Sequence, residues 1–155
     1  MNTTITANSR TKGFTLLELM IVVALVAIIA TMGYPSFTEL IVSQRVRAAA
    51  SALYDSLLLA RSEAVKRNTA VSMSVTNLKD GWTIVTSDST LLRTQEPFAS
   101  LEFSPTNPSI AYNGFGRLSS GAGAKITVTS PSSSKSRCIT IDTVGRPRVA
   151  EGICT

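Results

Sequence analysis

The stretch KGFTLLELMIVVALVAIIATMGYP, residues 12–35, decides how the front of this chain folds. From Phe14 to Tyr34 it carries one charged residue, Glu18. As a helix these residues extend about 31 Å, which matches the hydrocarbon thickness of a bilayer. The pattern predicts a transmembrane helix over residues 14–36, preceded by a leader, residues 1–13. Arg10 and Lys12 favour keeping that leader on the cytoplasmic side.

Glu18 is unusual in an apolar run, because a charge at the centre of a membrane helix costs about 2.5–3.5 kcal/mol and less near an end. One interpretation is that the carboxylate reaches back to the nearer membrane interface. The other is that it pairs with a positive charge supplied by another chain, since two opposite buried charges cost less together than either does alone. The residues by themselves leave both open.

The segment KGFTLLEL, residues 12–19, resembles the type IV prepilin signal of pilins, minor pilins and type II secretion pseudopilins. The resemblance implies that a prepilin peptidase cuts between Gly13 and Phe14 and that the new amino terminus is N-methylated. It also implies that Glu18 pairs with the Phe14 amine of another pilin subunit in a filament. We then expect a single-pass inner-membrane protein with a periplasmic domain, at the cell surface in a pilus once assembled. An ordinary uncleaved membrane anchor is the alternative.

The pattern after the apolar run predicts an amphipathic helix over residues 37–67, with a kink or local melting around Gly33 to Pro35. Apolar residues recur there at steps of three and four, as expected of one face packed on a core. This stripe consists of Val46, Ala50, Leu53, Leu57, Ala60 and Ala64.

Residues 68–155 change to short alternating segments separated by Gly, Pro, Asn and Ser, which is typical of strands in an antiparallel sheet. Residues 130–136, SPSSSKS, are predicted as a flexible connection. A helix followed by many strands indicates an α+β fold. The resemblance implies the ladle-shaped pilin subunit, a long amino-terminal helix packed on an antiparallel β-sheet domain. Strands are predicted at residues 70–75, 81–86, 101–105, 125–130 and 137–142.

The chain offers little for catalysis, because it has no histidine and no paired-carboxylate or phosphate-loop pattern. We therefore predict that it is not an enzyme and needs no cofactor or metal. Cys138 and Cys154 are its only cysteines. Outside the cytoplasm an intramolecular disulfide is their expected state, and it would tie the carboxy terminus to the strand at residues 137–142.

Positive charge collects in the last third of a chain whose net charge is +5. Gly145 tolerates positive φ and Pro147 fixes φ, so the segment between two of the arginines has little freedom. Such a stiff basic loop suits phosphate oxygens, although basic residues on a hairpin are also typical of a solvated surface. Tyr112 and Phe115 are expected in the core, which favours a duplex over a single strand. The candidate contacts are Lys135 and Arg137, before one strand, and Arg146 and Arg148, in the turn after it.

Nearly the whole chain is similar to the FimT/GspH group of minor pilins and pseudopilins. The features that carry this are the prepilin signal, one sheet domain, two cysteines near the end and GRPR at residues 145–148 between them. GRPR resembles the motif of members that capture DNA during natural transformation, which makes Arg146 and Arg148 the implied DNA contacts. Lys135 and Arg137 follow from charge alone. The leading hypothesis is a minor pilin that binds extracellular double-stranded DNA without sequence specificity. The alternative is a structural minor pilin or pseudopilin that primes or caps a filament.

Overall fold

The computed structural model describes residues 13–106, 108–120 and 123–155, and within them it describes the backbone but not the side chains of residues 32–36. The predicted leader, apart from Gly13, lies outside the described residues. The chain divides into two compact units, of which the first ends at Phe37 and the second spans Thr38–Thr155.

Helix α1 spans Leu16–Arg67. Thr15 caps its amino terminus, because Thr15 Oγ1 accepts a hydrogen bond from the Glu18 amide at 3.2 Å. Near its end, Glu63 pairs with Arg67 at 2.7 Å, which places a cation beside the negative end of the helix dipole. Backbone helix continues through residues 32–36, so α1 is not interrupted at Pro35.

The first unit contains the amino-terminal part of α1, and its apolar side chains from Phe14 to Ile29 are exposed. In the part of the chain that the structure describes, no helix combines the length and the hydropathy that crossing a membrane requires.

The second unit contains the rest of α1 and two antiparallel sheets. The first sheet has the order β3-β2-β1-β5-β6 and the second has the order β4-β7-β8-β9. The first sheet is built from β1 (Val71–Ser74), β2 (Trp82–Thr86), β3 (Leu91–Gln95), β5 (Ile110–Tyr112) and β6 (Leu118–Ser120). The second is built from β4 (Glu102–Ser104), β7 (Lys125–Ser130), β8 (Ser133–Ile141) and β9 (Pro147–Glu151). The α+β prediction with antiparallel pairing is confirmed.

Two features of the sheets differ from the sequence-based expectation. Strands β3, β5, β6 and β9 were not predicted, since they are short or lack clear alternation. The prediction of a flexible connection over residues 130–136 is wrong, because β8 begins at Ser133 and Ser133 pairs with Ser130 of β7. Backbone pairing therefore overrides the turn-like composition of the serine-rich segment.

The core of the second unit lies between α1 and the two sheets. The predicted apolar stripe of the helix is buried throughout, which confirms its packing role. Its largest members, Leu53 and Leu57, are fully buried, and each such side chain contributes roughly 1.5–3 kcal/mol of transfer free energy. They pack with Tyr112 of β5 and Ile139 of β8 in one cluster, so a single core fixes both sheets and the turns at their edges.

Candidate nucleic-acid interface

The β8–β9 hairpin carries the four candidate cations, but only one of them lies in its turn. Arg146 is the last residue before β9, whereas Arg148 lies within β9 and pairs with Thr140 of β8. The expectation that both arginines lie in the turn is therefore wrong for Arg148. Pro147 opens the strand directly between them, and its fixed φ restricts the chain there.

The turn at residues 142–146, which we call the Asp142 turn, is organised by one carboxylate. Asp142 Oδ1 accepts hydrogen bonds from the amides of Val144 at 3.1 Å and Arg146 at 2.8 Å. The Gly145 amide donates to the Asp142 carbonyl oxygen at 2.9 Å. Gly145 has φ +83°, which a glycine adopts without strain. Aspartate at the first position and glycine at the fourth thus determine this turn.

The same carboxylate holds the Arg146 side chain. Arg146 Nε donates to Asp142 Oδ2 at 3.0 Å. The pKa of Asp142 is lowered, chiefly by the hydrogen bond from the Arg146 amide and further by the guanidinium. The Arg146 side chain stays 58% exposed, and its Nη groups have no hydrogen-bond partner among the described residues. The stem of Arg146 is positioned, and the end of its guanidinium remains available to a ligand.

Arg148 is exposed and forms no ion pair within the described ranges. The strand register places Lys125 of β7, Thr140 of β8 and Arg148 of β9 in one row across the second sheet. Lys125 and Thr140 alternate with buried neighbours, so this row lies on the outer face of that sheet. Sequence reasoning counted Lys125 as a charge but missed its place in the same row as Arg148, with Thr140 between them. The alternation in KITVTS, with Ile126 and Val128 inward, was the available signal.

Lys135 and Arg137 lie elsewhere. Arg137 lies two residues before the buried Ile139, which puts it on the opposite face of β8 from Thr140. Its side chain is only 19% exposed, and it pairs with Glu151 at 2.7 Å. Lys135 and Arg137 line a cavity of about 360 Å³ together with Arg47 of α1. The geometry therefore brings Arg146 and Arg148 together and does not bring the other two predicted cations to the same surface.

Gly145 presses the Asp142 turn against the first sheet. A Cβ on Gly145 would meet the Gly116 carbonyl oxygen at 2.7 Å and Tyr112 Cε1 at 2.9 Å. On the other side, Arg61 Nε of α1 donates to the same Gly116 oxygen at 3.0 Å. The Asp142 turn thus packs against the Gly116 backbone and the buried Tyr112 side chain. This contact explains a glycine at position 145 as strongly as its positive φ does.

Tyr112 is fully buried, as predicted, and burial raises its pKa to about 12. Its hydroxyl has no hydrogen-bond partner in the described part of the chain. The prediction that Phe115 belongs to the core is wrong: its side chain is 84% exposed. Phe115 lies at the tip of the β5–β6 turn, so an exposed aromatic ring accompanies the basic residues after all.

The predicted disulfide between Cys138 and Cys154 is confirmed, with the two residues 16 positions apart. The Cys154 amide also donates to Thr127 Oγ1 of β7 at 3.1 Å, and Lys125 Nζ donates to the Thr155 carbonyl oxygen. The end of the chain therefore crosses the outer face of the second sheet. Closing a loop of this length stabilises a domain by about 3 kcal/mol in the chain-entropy account.

The amino-terminal site residues belong to the first unit. Gly13 and Phe14 precede α1 in a non-helical, exposed segment. Glu18 is also exposed, and it occupies the third residue after the Thr15 cap, a position at which an acid interacts favourably with the helix dipole. A peptide bond in this setting is accessible to a peptidase.

Comparison with known protein families finds two matching segments in this chain. A family model described as type II transport protein GspH matches residues 49–145, and one described as the prokaryotic N-terminal methylation motif matches residues 8–34. A search of curated proteins finds no match. The first match ends at Gly145, so Arg146, Arg148 and Cys154 lie beyond it.

Solved structures show the same fold. The minor pilin FimU of Pseudomonas aeruginosa is 21% identical, with a TM-score of 0.57 over 67% of this chain and 91% of its own. The minor pseudopilin EpsH of Vibrio cholerae is 14% identical, with a TM-score of 0.54 over 74% of this chain and 99% of its own. At these identities the likeness concerns the fold alone. The GspH model, in contrast, covers more than half of the chain. This chain therefore belongs to the family of type II transport protein GspH.

Proposed function

We propose that this chain is a minor pilin that binds double-stranded DNA through its phosphates, without sequence specificity, for uptake in natural transformation. The family and the methylation motif support the coarser assignment, a minor pilin or pseudopilin of a type IV pilus or a type II secretion system. The DNA-binding role is supported by one observation. Arg146 and Arg148 flank a single proline, and both are exposed on the β8–β9 hairpin.

The chemistry of this surface suits a polyanion. A guanidinium group matches two phosphate oxygens, and Asp142 already orders the stem of Arg146, so less side-chain freedom is lost on binding. Arg148 adds a second positive charge on β9, the strand that follows the turn. Both guanidinium groups would recognise the charge and shape of a phosphate, which are the same at every nucleotide. We therefore expect modest affinity, no base preference and a strong salt dependence.

GRPR at residues 145–148 resembles the motif of FimT, the minor pilin of this group that captures DNA. We infer a similar role for Arg146 and Arg148. Lys135 and Arg137 become secondary candidates, since they line a separate cavity and Arg137 is already paired with Glu151.

The test uses the full chain, kept in mild detergent because the apolar residues of its first unit are exposed. Arg146→Gln with Arg148→Gln should weaken binding of a random-sequence duplex at least tenfold. The slope of log affinity against log salt should fall in magnitude by about 1.8, as expected for two lost phosphate contacts. Fluorescence anisotropy at three salt concentrations measures both quantities.

A matched control carries the same charge change away from the hairpin. Lys79→Gln with Arg93→Gln removes two cations from the 3₁₀ turn at Leu78–Asp80 and from β3. If this control weakens binding as much as the hairpin double variant does, net charge rather than a site holds the DNA. If the hairpin variant binds like the parent, the assignment of Arg146 and Arg148 is wrong.

A structural role is the second candidate, and two observations favour it. Arg146 and Arg137 each have an acidic partner within the chain, and the family model ends before Arg146. A subunit that primes or caps a filament would turn the same surface toward another subunit. Deleting the gene separates the two roles: loss of piliation or protein secretion with normal DNA uptake supports the structural role.

For the amino terminus, we infer that prepilin peptidase cuts between Gly13 and Phe14 and that the apolar segment anchors the subunit in the inner membrane before assembly. Glu18 would then pair with the methylated Phe14 amine of a neighbouring subunit. The methylation-motif match over residues 8–34 and the exposed, non-helical position of the bond support this inference. The mass of the chain extracted from membranes checks it, because an uncut chain retains the leader.

A further inference from the structure

The turn at residues 113–117, which we call the Asn113 turn, repeats the design of the Asp142 turn. Asn113 Oδ1 accepts hydrogen bonds from the amides of Phe115 at 3.0 Å and Arg117 at 3.1 Å. The Gly116 amide donates to the Asn113 carbonyl oxygen at 2.8 Å, and Gly116 has φ +70°. The sequences NGFGR and DTVGR thus place an Asx residue, an apolar residue, a glycine and an arginine at equivalent positions.

The two turns lie side by side. They come from different sheets, yet a Cβ on Gly145 would lie 2.7 Å from the Gly116 carbonyl oxygen. Because the two glycines are in contact, the residues that follow them, Arg117 and Arg146, belong to adjoining turns. Both side chains are exposed. A second cation therefore accompanies Arg146 from a part of the sequence that the GRPR motif does not include.

The position before each glycine adds apolar surface. Val144 is partly exposed, and Phe115 is the most exposed of the large apolar side chains described. An exposed aromatic ring in a turn that also carries an arginine is suitable for a nucleic-acid base. Bases stack on exposed aromatic rings, and flanking cations contact the backbone.

We propose that the paired turns bind single-stranded DNA, with Phe115 stacking on an unpaired base and Arg117 and Arg146 contacting the phosphates on either side. This rests on the DNA-binding function proposed above and extends it to DNA ends and unpaired stretches. Charge favours this occupant over an apolar protein surface, because Asp142 is the one acid in the two turns and Arg146 already engages it.

The experiment measures binding of a 20-nucleotide oligothymidine and of a blunt 20-base-pair duplex to the full chain in detergent. Phe115→Ala should raise the Kd for the single strand by roughly 5- to 100-fold, as loss of one stacked base does, and change the duplex Kd less than twofold. Leu91→Ala, a truncation of another exposed apolar side chain on β3, is the matched control and should change neither.

Phe115→Trp separates stacking from a merely structural role. Tryptophan keeps a stacking ring, so the variant should bind oligothymidine as tightly as the parent, and its added fluorescence should be quenched by the single strand. Trp82 is buried and serves as an internal reference. Arg117→Gln should weaken both ligands a few-fold and reduce the single-strand salt slope by about 0.7.

The outcomes distinguish the two proposals. If the parent binds duplex but Phe115→Ala binds oligothymidine as the parent does, stacking is overturned and the phosphate site stands. Equal loss on both ligands, or an added fluorescence of the Phe115→Trp variant that the single strand leaves unquenched, also overturns stacking. If the parent binds neither DNA, the proposed function itself fails, and Phe115 is left to a contact between filament subunits.

Discussion

The Asn113 turn and the Asp142 turn share a hydrogen-bonding pattern, and their first residues differ in one side-chain group. In both, the Asx Oδ1 accepts from the amides two and four residues later. In the Asp142 turn the other side-chain atom is a carboxylate oxygen, and it holds Arg146 at 3.0 Å. In the Asn113 turn that atom is an amide nitrogen, which cannot accept from Arg117. The carboxylate therefore tethers Arg146, whereas the Arg117 side chain has no ion-pair partner among the residues that the structure describes.

This difference has opposite consequences for binding an anion. A tethered side chain loses less conformational freedom when a ligand arrives, but its charge is partly offset by the tether. An untethered arginine keeps its full charge and loses more freedom. Within the turns, the Asp carboxylate holds the following arginine at Asp142, and the Asn amide at Asn113 does not.

The largest expected effect is a loss of stability on substituting Gly145 or Gly116, because the two glycines pack against different groups. Gly145→Ala would place a Cβ 2.7 Å from the Gly116 carbonyl oxygen, where backbone cannot easily move, in addition to the cost of positive φ. We expect it to lower the unfolding free energy by about 2–4 kcal/mol. Gly116→Ala would meet Val65 Cγ2 at 2.8 Å and Arg61 Nε at 3.4 Å, which belong to side chains rather than backbone, and the exposed Val65 can rotate. About 1–2 kcal/mol is expected there.

Denaturant unfolding of the two variants and the parent measures both losses of unfolding free energy. Equal losses would mean that backbone conformation alone, and not the contact between the turns, makes glycine necessary. That result would also weaken the argument that the two turns form one surface.

The next effect concerns Tyr112, which precedes Asn113 in the chain and contacts Gly145, and so supports both turns. Because burial raises its pKa to about 12, the unfolded chain releases this proton at lower pH than the folded chain does. The stability that Tyr112 contributes is therefore complete below about pH 10 and is lost as pH rises toward 12.

Tyr112→Phe should remove this alkaline loss, which amounts to roughly 2 kcal/mol, and leave stability near neutral pH unchanged or slightly higher. The slight gain would follow because the hydroxyl is buried with no partner among the described residues. Thermal unfolding of parent and variant from pH 7 to 11.5 tests it. Parallel curves over that range would show that the hydroxyl is hydrated in solution.

Sequence reasoning reached the fold because its strongest signals are local. The apolar periodicity of Val46 to Ala64 and the alternation in KITVTS each follow from burial of one face. Strands such as Ile110–Tyr112 and Leu118–Ser120 are three residues long, too short for alternation to be recognised. Their pairing depends on distant partners, as β1 with β5 shows.

Part of the candidate site could be predicted from the sequence because its signals are local as well. GRPR and the two cysteines are visible in the chain, whereas the split between Arg137 and Arg148 depends on which face of its strand each residue occupies. Phe115 was assigned to the core because aromatic residues usually are buried. Its exposure follows from its place at a turn tip, and the parallel between NGFGR and DTVGR was the signal that could have shown it.

The smallest expected effect tests the comparison most directly, because it exchanges the two turns. Asp142→Asn keeps the Oδ1 acceptor, releases Arg146 and removes one negative charge near the bound phosphates. At about 7 Å in water such a charge is worth roughly threefold in affinity, so duplex binding should tighten by about that factor. Asn113→Asp should tether Arg117 and weaken binding by a similar factor, and both changes should fade as salt rises. Because the pKa of Asp142 lies below its ordinary 3.8, its contribution to stability is present above that pH and is lost on further acidification. The difference in melting temperature between parent and Asp142→Asn should accordingly shrink below about pH 4. Weaker duplex binding by Asp142→Asn would show that orientation of Arg146 by its carboxylate matters more than the charge it offsets, and the tethered turn would then be the principal contact.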